Sequence, residues 1–372
     1  MTFSINVISD VKAFSRIEES WNAFASKNSE TPFILSEFMK SSMKRKLLGW
    51  NPLLMIGRVN DAVVGIIPLV MTRKLGVRIA SFPSPHYSLD FVINERFREK
   101  FIDSTLDYLF KTLRCKVLDL TFPAESNNMH LFQELCRKKN VYFGEESFMG
   151  RRMLEVRCSW EQFEDLKGGK FRRRFRKMQN KLNRVGSCQV SCVEREDDEN
   201  DAFSRIIQIE KNSWKETWRS KKGKEMDRDL IAIWEGAGCA SKKIPDFKRG
   251  VWFLELNDHP IAYALVLQHK RTATITKTSF DARYRRFYPG MYLINALLPT
   301  LFNSNNIEKV DFMTDMSFME AWTDLCLGRV RVLAGKGILP TTVLSLYQEK
   351  QMRRMLNIIT NQSLLPVASL FG

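Results

Sequence analysis

Two stretches of the chain alternate in the same way. Leu53–Val70 reads LLMIGRVNDAVVGIIPLV, and Val251–Gln268 reads VWFLELNDHPIAYALVLQ. Each is an apolar run, an Asn-Asp pair (Asn60-Asp61, Asn257-Asp258) and a second apolar run, which predicts a β-hairpin closed by a two-residue turn. A helical stretch and a short apolar strand carrying one aspartate follow each hairpin. In the first copy these are Phe97–Leu113 and Val117–Leu120, with Asp119; in the second, Met291–Phe302 and Val310–Met313, with Asp311. The turns are offset by 197 residues and the aspartates by 192. A repeat this long, with its elements in one order, predicts two related α/β domains and no solenoid.

Helical spacing also appears ahead of each hairpin. The first copy has Val11–Ala25 and Thr31–Met39. The second has a helix over 167–184 and another over Ala202–Trp218, where Phe203, Ile206, Ile207, Glu210 and Trp214 recur at helical intervals. Between them and the second hairpin, Arg219–Gly250 is rich in lysine and glycine and reads as loop around a short helix near Asp229–Glu235. Leu344–Ile359 reads as a last helix.

The 167–184 stretch changes the picture most. It carries Lys167, Lys170, Arg172, Arg173, Arg174, Arg176, Lys177, Lys181 and Arg184 with no acidic residue, over an apolar stripe of Phe171, Phe175, Met178 and Leu182. Gly168-Gly169 precede it, and Gly186 stands where a C-cap glycine is expected. This predicts a packed amphipathic helix with a cationic face.

Composition adds limits. The chain has 372 residues, 44% of them hydrophobic, enough for two domains with cores of their own. Its net charge is +16, of which the basic helix supplies +9. A nucleic-acid-binding domain usually spreads its excess over one face. Seven cysteines without a Cys-x-x-Cys pair argue for a reducing compartment, hence a cytoplasmic location, and against a disulfide framework. The four histidines lack metal-ligand spacing, so no metal is expected; His259 and His269, beside the second hairpin's turns, read as surface residues. No leader appears at the N-terminus, and the longest apolar runs are too short for a transmembrane segment.

Thr272–Phe280 predicts a strand. It is followed by Asp281-Ala282-Arg283-Tyr284-Arg285-Arg286-Phe287-Tyr288-Pro289-Gly290 and then by the helix from Met291. A strand, a cationic loop and a helix N-terminus make an anion cradle, since the first N–H groups of a helix are unpaired and its dipole favours negative charge. The arginine forks of the loop suit a pyrophosphate. Ser81–Asp90, the corresponding region of the first copy, has two prolines and neither arginine nor glycine.

The order hairpin, third strand, Arg-rich loop, helix, strand resembles the GCN5-related N-acetyltransferase (GNAT) fold, whose loop pattern Arg/Gln-x-x-Gly-x-Gly/Ala holds the coenzyme A pyrophosphate. Arg285 stands at the Arg/Gln position and Gly290 at the last glycine, with Tyr288 where the first glycine usually is. Asp281-x-x-Tyr284…Tyr288-Pro289-Gly290-x-x-Leu293 resembles the CelD-like (BioF2-like) branch. So do Trp21…Pro32-Phe33, Gly65-Ile66-Ile67-Pro68-Leu69, the Arg-rich helix, Ser213-Trp214-Lys215 and Val310-Asp311-Phe312. The tandem plan also matches the Fem peptidyltransferases. Past the last aspartate the branch usually shows a Tyr-Lys pair, and here Phe318-Met319-Glu320 occupies the region.

The resemblance implies an α/β (α+β) chain of tandem GNAT-like domains, each a mixed, mostly antiparallel sheet flanked by helices. Residues 1–150 form a degenerate first domain without a cofactor loop, and 151–372 a second with the acyl-CoA site. Acetyl- or another acyl-CoA lies against Ser279, Phe280, Arg285, Arg286, Tyr288, Pro289, Gly290 and Met291. Trp214, Lys215, Arg172 and Arg173 face a small-molecule or glycan-precursor acceptor. Asp281, Asp315 and His86 are the candidate bases. No Gly-x-Ser-x-Gly elbow or Cys–His arrangement supports a covalent intermediate. Two alternatives stay open: Fem-like aminoacyl transfer from charged tRNA, and a basic nucleic-acid-binding module.

Overall fold

The computed structural model describes residues 2–43, 51–74, 77–194, 199–213, 215 and 228–336. The chain forms two compact units: residues 1–9, 48–148 and 330–372 make one, and residues 10–47 and 149–329 the other. The expectation put 1–150 in one domain and 151–372 in the other. The chain crosses at 148/149, close to that boundary, but residues 10–47 join the second unit.

In the first unit the strands are β1 (Phe3–Ile8), β2 (Asn51–Val59), β3 (Ala62–Lys74), β4 (Val77–Ser81), β5 (Val92–Ile93) and β6 (Val117–Pro123). The second is built on β7 (Tyr142–Glu155), β8 (Cys188–Val193), β9 (Phe247–Leu256), β10 (His259–His269), β11 (Thr272–Phe280) and β12 (Lys309–Asp311), and the last strand is β13 (Cys326–Gly335). Strands β7 and β13 each contribute residues to both units.

The two units repeat one topology. In the first, β1-β2-β3-β4 are antiparallel neighbours and β6 joins β4 in parallel, Ser81 opposite Asp119. In the second, β8-β9-β10-β11 are antiparallel neighbours and β12 joins β11 in parallel, Thr274 opposite Asp311. Both sheets are therefore mixed and mostly antiparallel. Both hairpins turn as expected: Asn60 and Asp61 (φ 45 and 68) and Asn257 and Asp258 (φ 49 and 61) are left-handed, the geometry of a two-residue turn that matches strand twist. The paired aspartates are held alike. Asp119 binds Arg331 at 2.7 Å and Asp311 binds Arg151 at 2.5 Å.

Helices cover the second sheet. Pro289–Phe302 packs on β9, β10 and β11 and against the helix Trp160–Asn183. Their core holds Phe171, Phe175, Met178, Leu182, Leu293, Leu297, Leu301 and Trp322, all buried, so the predicted apolar stripe is the buried one. The basic helix begins at a break. Gly168 sits at φ 80, ψ 178, which glycine adopts without a Cβ penalty, and a separate helical stretch from Trp160 lies before it. Gly186 is not left-handed; a Cβ there would meet Asn257 at 2.3 Å, and Asn257 Oδ1 accepts from Ser187 N–H.

The short helix expected near Asp229–Glu235 is longer, a 16-residue helix over Arg228–Lys243. Gly236 lets this helix lie close on Ser36–Met43: a Cβ there would meet Phe38 at 2.9 Å. Leu344–Ile359 lies outside the described residues.

His259 is exposed as expected, but His269 is not. It is 2% exposed at the end of β10, its ring 6.3 Å from that of Phe247, and neither ring nitrogen has a partner among the described residues. Burial, with Lys270 adding to it and Glu30 and Asp246 opposing, pushes its pKa down to about 4. The unfolded imidazole takes a proton near pH 6.5 and the folded one does not. Stability is therefore complete above about pH 6.5 and is lost as the pH falls toward 4. Urea unfolding at pH 7 and pH 4.5 should differ by about 2–3 kcal/mol from this residue, and His269→Phe should remove that part of the difference.

Candidate active site

The cradle forms as a turn and two helices. Strand β11 ends at Phe280, Ala282–Phe287 is a single stretch of 3₁₀ helix, and Tyr288 turns left-handed (φ 55, ψ 47) before the helix Pro289–Phe302. Pro289 at the first helical position has no N–H to leave unpaired. Tyr288 makes no side-chain cap to the N–H groups of the first helical turn. Arg285, Arg286 and Tyr288 are exposed around this end.

The basic helix stands beside the cradle. The Arg174 guanidinium reaches Met291 Sδ at 3.4 Å. Lys181, Arg184 and Val185, at the far end of the helix, line a cavity of about 350 Å³ with Arg286 and Phe287. Three cations from two elements thus share one hollow, and the helix Pro289–Phe302 begins shortly after Arg286 in the chain. That set of donors fits a pyrophosphate or phosphomonoester. Gly290 has a Cβ position 3.4 Å from Phe280, so the loop closes on β11 without crowding.

The sheet opens next to this loop. Strand β12 pairs with β11 only over Thr272–Thr274, while β11 runs on to Phe280. Opposite the open stretch, β10 carries an irregularity between Leu265 and Val266. Beyond Thr274, β11 is no longer paired with β12. Asp311 lies at the inner end of the opening, and Asp315 just beyond.

The three candidate bases fare differently. Asp281 is 3% exposed, accepts from the Arg283 backbone N–H, and takes Arg283 Nε and Nη2 at 3.0 and 2.6 Å. It caps the 3₁₀ stretch, and its oxygens are committed to Arg283, whose pKa it raises. Asp315 is half-buried, with Oδ2 accepting from Gly150 N–H at 2.8 Å. His86 is exposed in the first unit, its ring 5.7 Å from that of Phe148.

Phe280 packs with the cradle helix. Ser279 alternates to the other face of the sheet, beside Tyr263, and its buried hydroxyl has no partner among the described residues. On that face sits a residue not singled out from the sequence. Glu210, 2% exposed, accepts from Tyr263 Oη at 2.7 Å and binds Lys215 Nζ at 3.4 Å. Lys215 also donates to the Thr278 carbonyl at 2.9 Å. The segment before it is fastened to the cradle: Ser213 bridges to Asp281, and Ala282 N–H donates to the Asn212 carbonyl. A glutamate inside the apolar stripe of its helix was the available signal. Trp214 lies outside the described residues. Arg172 is exposed and pairs with Asp165, and Arg173 is exposed with no acidic partner among the described residues. No cluster of described residues suits a metal ion.

Residues 169–318 match the family described as acetyltransferase (GNAT) domain. No curated protein matches the sequence. Solved structures with a similar fold include a conserved protein of unknown function from Bacteroides thetaiotaomicron (TM-score 0.58, 11% identity, covering 90% of this chain and 100% of that one). FemX is similar as well, with TM-score 0.55 and 10% identity over 88% of this chain and 96% of that one. A third is the C-terminal domain of a putative lysylphosphatidylglycerol synthetase from Agrobacterium fabrum, with TM-score 0.54, 11% identity and 89% and 95% coverage. At these identities the likeness is one of fold. Residues 169–318 are thus similar in sequence to GNAT acetyltransferase domains, and the chain shares their fold with these structures.

Proposed function

We propose that the protein is an acyl-CoA-dependent N-acyltransferase that acylates an amine directly, on a sugar or a cell-envelope polysaccharide precursor, in the cytoplasm. One observation carries this reading: Lys181, Arg184 and Arg286 line one cavity, and the helix that follows Arg286 begins at Pro289 with no side-chain cap from Tyr288. Bound there, the coenzyme would supply a thioester. The cations and the helix N-terminus hold its phosphates, and the open edge of β11 receives the extended arm. Transfer forms an N–C bond and breaks the C–S bond, and the amine must lose a proton. We assign that proton to Asp315, whose Oδ2 accepts from the Gly150 N–H, because Asp281 is committed to Arg283 and Asp311 to Arg151 and the Met313 N–H. Calorimetry with acetyl-CoA tests the reading; saturable binding supports it, and no heat at millimolar ligand contradicts it.

A second reading, aminoacyl transfer from charged tRNA, is favoured by the fold shared with FemX and by the density of exposed cations on the basic helix. It requires tRNA binding with a steep salt dependence that flattens when Arg172, Arg173 and Arg174 become Gln. Absence of tRNA binding at low salt eliminates it.

A further inference from the structure

The cations of the basic helix are unevenly placed. At 100° per residue, Lys170, Arg173, Arg174, Lys177, Lys181 and Arg184 fall within an arc of about 100° and form a row about 20 Å long. The flank is fixed by Arg174 against Met291 and by Lys181 and Arg184 at the cradle cavity. All six are exposed, and none has an acidic partner among the described residues. The row extends beyond the hollow, since Lys170, Arg173 and Lys177 do not line it.

Exposed apolar side chains bracket the row. Leu166, 81% exposed, stands before the break at Gly168. Val185 follows the last cation at 42% exposed, and Tyr288 is 56% exposed beside Arg286. We infer that this flank docks the protein peripherally on an anionic phospholipid surface. The cations outside the hollow, Lys170, Arg173 and Lys177, meet headgroup phosphates, while Leu166 and Val185 enter the interfacial layer. No described helix is long and apolar enough to cross a membrane, so the association is of the surface kind. A single-stranded RNA partner fits less well. Such sites interleave aromatic platforms with cations, and the aromatic rings of this helix, Phe171 and Phe175, are buried in the core.

The inference is independent of which ligand fills the cradle. Co-sedimentation of the full chain with phosphatidylcholine vesicles, with and without a third of phosphatidylglycerol, tests it. The wild type should bind the anionic vesicles, release them at high salt and ignore neutral ones. Lys170→Glu with Lys177→Glu should weaken binding at least about 100-fold, the scale of reversing two charges at such a surface, with unchanged thermal unfolding. Lys170→Arg with Lys177→Arg should bind as wild type, and Leu166→Ser several-fold more weakly. Indifference of the wild type to anionic vesicles overturns the inference. So does equal binding by the charge-reversed protein, or tRNA binding without vesicle binding.

Discussion

Replacing Gly290 with aspartate should abolish acyl-CoA binding and leave the fold intact. A Cβ at this position meets only Phe280, at 3.4 Å, an ordinary contact. The residue is at the second position of the helix Pro289–Phe302, where a carboxylate suits the dipole, so stability should hold or rise by a few tenths of a kcal/mol. The same carboxylate would occupy the anion's place and repel it. With repulsion and steric exclusion together, affinity for acetyl-CoA should fall at least about 100-fold, roughly 3 kcal/mol. Titration calorimetry reads the affinity, and thermal unfolding reads the fold. Equal binding by both proteins would remove the cradle from the mechanism.

Asp311→Asn should cost stability, not chemistry. Asp311 is 3% exposed and accepts from the Met313 N–H, and it is the counter-charge for Arg151. Arg329 lies within its field. That guanidinium is 1% exposed and donates to the Met149 and Gly150 carbonyls; burial pushes its pKa down and Arg151 adds to the push, while Asp311 and Asp315 oppose it. Without the carboxylate two cations lose their neighbouring anion, and a loss of about 3 kcal/mol in chemical denaturation is expected. Asp119→Asn, its counterpart in the first unit, should cost less, because Arg331 keeps Glu146 at 2.7 Å. Full stability with lost turnover in Asp311→Asn would mark Asp311 as the base instead.

What the sequence revealed was local. The Asn-Asp turns need two left-handed residues, and those residue types adopt that conformation most readily, so the hairpins and their duplication could be read directly. The stripe Phe171, Phe175, Met178 and Leu182 predicted its own buried face. The cradle was legible because its loop and helix are contiguous. What stayed hidden depends on distant partners. Strand β7 is set by residues such as Leu325, whose carbonyl accepts from the Met153 N–H, and no local alternation announces it. Residues 10–47 pack with the second unit through helices such as Ser36–Met43, which no boundary signal records. His269 looked like a turn-flanking surface residue until Phe247 covered it, and Glu210 looked like one more position on a helical face until Tyr263 and Lys215 closed on it.

The central claim is that the hollow lined by Lys181, Arg184 and Arg286 holds a coenzyme A phosphate. Native mass spectrometry of the protein mixed with acetyl-CoA and bulk tRNA reads it most directly. The account predicts a complex carrying one acetyl-CoA in the wild type and none in Gly290→Asp. A wild type that carries tRNA and no coenzyme would contradict it.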